Sequence, residues 1–390
     1  MSKKWLLNRR RALWLGLAAF AGMGAVAKGR DTYQSFQIKS LDNPERKFAA
    51  VGGASLKERA AAKGLIYGAA TDYDKLALNS TFADTFLAEC GMLVPGLALK
   101  WQALRPTPTN FDFTEGDALL EFARAYNVLF RGHTLIWGDF LPAWFKDTVD
   151  SQNAEQVLLN HIKTVVSHYA GKIHSWDVVN EAVWPEDGRP DGLRLTPWLQ
   201  LLGSDYIDLA FRAAAEADPQ ALLVYNDYGL DYDTPEDERR RVAVLRWLER
   251  LKSIGTPVHA LGIQAHLQAD ETRFNPTKLR AFLSEVAGLG LKVLISELDV
   301  ADNNLPKDVN VRDRIVAGIY EDYLSAVLDE PAVIAVVTWG LSDRSTWLSR
   351  HAPRKDNAPV RPLPLDAQLK RKLAWNAIAR AFDKAPKRKV

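Results

Sequence analysis

The run Ser175-Trp176-Asp177-Val178-Val179-Asn180-Glu181-Ala182 decides how this chain folds. Its apolar middle is one strand long, and its last residues turn polar and end on a carboxylate. On one side lies a stretch, 154–169, that repeats Val157, Leu158, His161, Ile162 and Val165 at three- and four-residue steps, the pattern of a half-buried helix. On the other lies a second helix-period stretch at 206–217. A short, nearly continuous apolar run between two amphipathic helices is what a parallel strand covered on both faces requires.

The same alternation extends in both directions. Strand-like runs fall at 65–70, 92–99, 128–136, 173–180, 221–226, 260–266, 292–297 and 333–339. Helix-period stretches fall at 117–126, 154–169, 206–217, 236–252, 276–287, 312–328 and 366–382, with Ser204, Thr234 and Asn275 placed as caps. Strand and helix in strict succession predict a closed (β/α)8 barrel over residues 61–385, after a lead-in at 28–60. An open doubly wound sheet fits less well, because no Gly-rich phosphate turn follows the first strand.

Composition narrows the function. Of 390 residues, 47% are apolar and 25% charged, which suits a globular chain rather than a disordered or membrane-embedded one. Lys+Arg 50 against Asp+Glu 48 leaves no cationic excess for nucleic acid. Cys90 is the single cysteine, so neither a disulfide framework nor a cysteine-rich metal site can form. The 12 tryptophans are a high count: either they fill core or their flat indole faces serve for sugar rings to stack on.

The first 27 residues read as an export signal. Lys3, Lys4, Arg9, Arg10 and Arg11 give a basic start, residues 12–27 are uncharged, and Ala25-Val26-Ala27 offers a small-residue cleavage site. Arg10-Arg11-Ala12-Leu13-Trp14 resembles a twin-arginine signal, although Asn8 and Arg9 depart from that pattern. The expected product is periplasmic or secreted, monomeric, and without stable membrane insertion once the signal is removed.

In a barrel, chemistry sits where strands end and loops begin. Glu181 ends one strand and Glu297, in Val293-Leu294-Ile295-Ser296-Glu297-Leu298-Asp299, ends a later one. Either could be a structural salt-bridge partner. Together they suit acetal hydrolysis, in which one carboxylic acid protonates the leaving oxygen and the other carboxylate attacks the anomeric carbon. Glu181 then needs a setting that favours its neutral form, and double displacement sets the two carboxyls about 5–5.5 Å apart.

Several ordered motifs add a resemblance: Leu99-Lys100-Trp101, Arg131-Gly132-His133-Thr134-Leu135-Ile136-Trp137, residues 176–182, Tyr225-Asn226-Asp227-Tyr228, Gly262-Ile263-Gln264-Ala265-His266-Leu267, residues 295–299, and Thr338-Trp339-Gly340-Leu341-Ser342-Asp343. Over 65–378 the chain resembles glycoside hydrolase family 10, the retaining β-1,4-xylanases. The resemblance implies an acid/base role for Glu181 and a nucleophile role for Glu297, with His266, oriented by Asp299, keeping the nucleophile ionised. It further implies that Lys100, His133, Asn180, Gln264 and His266 hold the reacting sugar between Trp137, Trp339 and Trp347. Xylan or a related β-glycan would be the partner, and no metal or organic cofactor is expected.

The chain departs from that family in one region. Pro95-Gly96-Leu97 and Trp137-Gly138-Asp139-Phe140 replace hydrogen-bonding side chains that the family uses one sugar further out. Gly96 and Gly138 are expected to open space there, which keeps open a different β-glycan or a bacterial exopolysaccharide, and also a binding protein without catalysis. Arg344, Arg350, His351, Arg354, Lys355 and Arg361 form a basic loop that is either a solvated charge run or a site for an anionic polymer. The tail 384–389 reads as a mobile terminus.

Overall fold

The computed structural model describes residues 41–271 and 273–388. The proposed export signal, 1–27, lies outside them. Residues 41–46 carry a turn closed by Arg46 N donating to Asn43 O at 3.1 Å.

From residue 47 the chain builds strands β1 (Ile66–Thr71), β2 (Met92–Pro95), β3 (Leu129–Gly132), β4 (Ser175–Asn180), β5 (Leu222–Asp227), β6 (Ala260–Ile263), β7 (His266–Gln268), β8 (Lys292–Ala301) and β9 (Val333–Thr338). All neighbours pair in parallel. The order β6-β5-β4-β3-β2-β1-β9-β8, closed by β6 against β8, is the eight-strand barrel expected from the alternation. Helices α1 (Leu56–Ala61), α2 (Ser80–Glu89), α3 (Thr114–Ala125), α4 (Ala154–Tyr169), α5 (Tyr206–Ala217), α6 (Pro235–Ser253), α7 (Pro276–Gly288), α8 (Val309–Val327) and α9 (Leu373–Lys384) surround it. None of the described helices is long and apolar enough to cross a membrane.

The barrel is filled, not hollow. Val224, Ala260, Leu294 and Ala335 meet in one buried cluster, with Ile66 packed against it. Toward the mouth, Ala70, Met92, Val94 and Val337 form another, against which Trp339 packs. Gly132 is required by its neighbour: a Cβ there would lie 2.1 Å from the Trp176 ring of β4. Thr234 and Asn275 cap α6 and α7 as read. Ser204 does not cap α5, whose N-cap is Asp205, with no side-chain cap bond.

Strands β2 and β3 end at Pro95 and Gly132, four residues short of the runs read at 92–99 and 128–136, and two further elements differ from expectation. The run 260–266 is broken between β6 and β7 because Ala265 takes φ +58, and β8 runs on past Glu297 to pair with β7 in the register His266↔Asp299. The last helix begins at Leu373 rather than 366. Leu365 instead bridges Arg371 antiparallel, around a turn with Leu369 at φ +63. As far as residue 388 the tail is docked rather than loose. Arg388 donates its backbone N–H to Lys63 O (2.8 Å) and its guanidinium to Val333 O, Leu328 O and Glu330 O.

Candidate active site

Glu181 and Glu297 both emerge at the C-terminal mouth, and a chain of amides connects them. Asn180 Nδ2 donates to Glu181 Oε1 at 3.1 Å. Asn226 Nδ2, from β5, donates to Asn180 Oδ1 and to Glu297 Oε1, each at 2.8 Å. Gln264 Nε2 reaches Glu181 Oε1 at 3.0 Å, and the Gln264 carbonyl accepts from Glu297 N at 3.1 Å. The Asn226 amide reaches two oxygens of the network, as does the Gln264 amide, so the network restrains both carboxylates.

Asn226 is fully buried and takes its orientation from Ser296, whose hydroxyl donates to Asn226 Oδ1 at 2.6 Å. The room for it comes from Gly262, where a Cβ would lie 2.1 Å from that same Oδ1. Asn226 stands inside a motif visible in the sequence, yet its bridging place follows only from how side chains of β4, β5 and β8 meet in the closed barrel.

His266 explains how Glu297 carries charge in a buried setting. Its Nδ1 faces Asp299 Oδ1 at 2.9 Å and its Nε2 faces Glu297 Oε2 at 3.4 Å. Burial works against a charged imidazole, but the two carboxylates outweigh it and raise His266 from 6.5 to about 10. Burial likewise pushes Glu297 up, yet His133, His266 and Lys100 together bring it down from 4.5 to about 2. His133 is itself held by Asp177, Nδ1 to Oδ2 at 2.9 Å, and Arg131 shares that carboxylate.

The tryptophans form the walls. Trp339 packs edge-on to His133 at 5.1 Å. Trp347 donates Nε1 to Asp299 Oδ2 at 2.6 Å and lies 4.9 Å from His266. Trp137, Trp339 and Trp347 are all half-buried. The Lys100 ammonium sits 5.0 Å from the Trp137 ring, 4.7 Å from Phe140 and 5.9 Å from Trp339. That position is close enough to the two glutamates for their fields to oppose the effect of its burial.

Besides the two amides, a cation contacts Glu181: Arg194 Nη1 lies 3.1 Å from its Oε2. Two expectations change. Gly96 and Gly138 do not open space, since a Cβ at 96 would lie 2.6 Å from Asp72 Oδ1 and one at 138 would lie 2.8 Å from Thr196 Cγ2. The basic loop is partly consumed internally, as Arg354 is buried on Asp302 O, Leu305 O and Asp356, and Arg361 pairs with Asp313 at 2.7 Å. Arg194 was invisible to sequence reasoning because its placement depends on a fold-back of the β4 loop, where Val183 bridges Leu193 antiparallel and Arg194 N donates to Ala182 O.

These features define a class: a parallel β/α barrel whose C-terminal mouth holds two amide-linked glutamates between tryptophan walls. Comparison with known proteins makes the class specific. The chain belongs to glycosyl hydrolase family 10, whose description matches residues 55–381. It is 32% identical to endo-1,4-beta-xylanase 2 of Claviceps purpurea, over 93% of this chain and 97% of that one. It is 33% identical to endo-1,4-beta-xylanase C of Paenibacillus barcinonensis over 80% of this chain, but spans only 30% of that longer protein. Among solved structures, xylanase 10B from Thermotoga petrophila RKU-1 in complex with xylobiose superposes with a TM-score of 0.78 at 30% identity, covering 86% of this chain and 99% of that one.

Proposed function

We propose that this protein is an exported, monomeric endo-1,4-β-xylanase that cleaves internal bonds with retention of configuration. The observation that carries the reading is the amide chain from Glu181 through Asn180 and Asn226 to Glu297, which sets two carboxylates at one mouth with different surroundings. Glu297, kept ionised, attacks the anomeric carbon as the glycosidic C–O bond breaks and Glu181 gives its proton to the leaving oxygen. In the second half Glu181 takes a proton from water, whose oxygen attacks the anomeric carbon and releases Glu297. Asn180 and Gln264, with Lys100, His133 and His266, hold the reacting sugar, and the three tryptophans enclose it. Residues 1–27 direct export, and 61–385 form the catalytic barrel.

Single substitutions test this. Glu297→Ala should abolish nearly all turnover. Glu181→Ala should slow cleavage of xylo-oligosaccharides far more than that of aryl glycosides with acidic phenol leaving groups, which need little protonation. Equal slowing of both substrates would overturn the assignment of Glu181.

A second reading keeps the mechanism and changes the polymer. It is favoured by Leu97 and Phe140, 51% and 43% exposed at the mouth, with Phe140 stacked on Trp137 at 5.2 Å. An apolar ledge there would accept a substituted or differently linked β-glycan. Product analysis on xylan, mixed-linkage glucan and acidic exopolysaccharides separates the two readings. Binding without release from any of them would indicate a protein that has lost catalysis.

A further inference from the structure

Arg194 occupies a place between two carboxylates that the reaction as written does not use. Its Nη1 lies 3.1 Å from Glu181 Oε2, and its Nη2 lies 3.1 Å from Asp139 Oδ2. Asp139 comes from the loop after β3 and Arg194 from the loop after β4, so the pair joins two walls of the mouth beside the acid. Burial works against the Arg194 charge, and the carboxylates of Asp139 and Glu181 more than restore it.

The chemistry of double displacement creates a difficulty at this spot. Glu181 must be neutral when it donates its proton and anionic once it has done so. A guanidinium bound to it is well matched in the second state and left without a counter-charge in the first. Asp139 supplies that counter-charge: with Glu181 protonated, Arg194 and Asp139 form a neutral pair.

We infer that Asp139 is a positioning residue that acts through Arg194, drawing the guanidinium off Glu181 whenever Glu181 carries its proton. The inference rests on the acid/base reading of Glu181. Its consequence is that Asp139 sets the pH above which the enzyme loses its general acid. The other charged or titratable groups facing Glu181 are Lys100 from the β2 loop, Asp227 at the end of β5, Tyr228 just after it, and Glu297 from β8, whose field Lys100 shares. Asp227 is raised to about 7, burial being the main cause, but its oxygens are engaged by Tyr225, Tyr228 N and Val183 N rather than by Arg194. All of these remain in place when Asp139 is changed.

The test is the basic limb of kcat/KM against pH on xylo-oligosaccharides, which reports the general acid of the free enzyme. Asp139→Asn removes a negative charge and leaves Arg194 wholly to Glu181, so the limb should move to lower pH by roughly 0.3–1 pH unit. Arg194→Gln should move it to higher pH. Asp139→Asn added to Arg194→Gln should move it little further, and Asp139→Glu should restore the wild-type limb. On an aryl xyloside with an acidic phenol, Asp139→Asn should leave the glycosylation limb in place.

A fall in kcat/KM of the same factor at every pH, a limb that stays put, or one that moves equally far without Arg194 would overturn the inference. Failure of the acid/base reading looks different. It would show as Glu181→Ala losing leaving-group dependence, whatever Asp139 does.

Discussion

Glu297 is buried where a lone carboxyl would be pushed toward neutrality, and it is the cationic side chains aimed at it that reverse the sign. Its drop to about 2 means that any folding stability it contributes is present above 4.5 and is lost as pH falls toward 2. His266 has the opposite sense: raised to about 10, it stabilises most fully below 6.5 and loses that contribution as pH rises through 10. His266→Asn removes the charge while keeping a side chain of polar character. The acid limb of kcat/KM should then move up by about one pH unit or more, because burial again dominates at Glu297. A limb that did not move would mean that His133 and Lys100 suffice. At this scale the sequence was informative where a residue's place depends only on its strand, as for the glutamates, His266 and Asp299. It was silent on Arg194 and on Asn226's bridging contacts, which depend on how loops fold back and how three strands meet.

Elements place these residues, and their small irregularities matter more than their regular parts. The break at Ala265 separates β6 from β7, so that Gln264 faces Glu181 while His266 faces Glu297. Apolar alternation foresaw eight strands and missed this break, because a left-handed alanine leaves no mark in hydrophobic periodicity. Gly262 is the element-scale counterpart, since only a residue without a Cβ leaves room for the Asn226 amide. Gly262→Ala should cost about 1–3 kcal/mol in chemical denaturation, the usual range for overpacking. It should also lower kcat, because the displaced amide serves both carboxylates. At the mouth, Gly96→Glu with Leu97→Asn restores the family's residue types, but in a place already taken by Asp72, which is tied to Lys75 at 2.7 Å. That double variant should melt lower and gain nothing on xylo-oligosaccharides. Improved turnover would show that Asp72 yields readily.

The whole barrel has two ends with different duties, and charge is spent differently at each. At the mouth, some charged groups face the cleft and others, Arg354 and Arg361 among them, fasten loops, whereas at the opposite end Arg388 and Lys63 fasten the chain ends. A basic tail read from sequence as loose has Arg388 donating to three carbonyls on the α8–β9 connection and at the start of β9, while its backbone N–H bonds Lys63. Lys63 in turn donates to Asp383 O and Ala385 O, so the first and last parts of the barrel are cross-tied below the sheet. Composition cannot distinguish a solvated lysine-arginine tail from a docked one, because the partners are backbone carbonyls that have no sequence signature. Hydrogen bonds from a charged donor contribute about 1.5–3 kcal/mol each where burial is complete, and Arg388 is only half-buried. Removing residues 386–390 should therefore lower unfolding stability by about 2–4 kcal/mol, with kcat/KM at 25 °C unchanged, since no group of the cleft is touched. Arg388→Ala should reproduce most of that loss in thermal melts. If both variants melted with the wild type, the tail would be an ornament of the fold rather than its clasp, and closure of the barrel would rest on strand pairing and core packing alone.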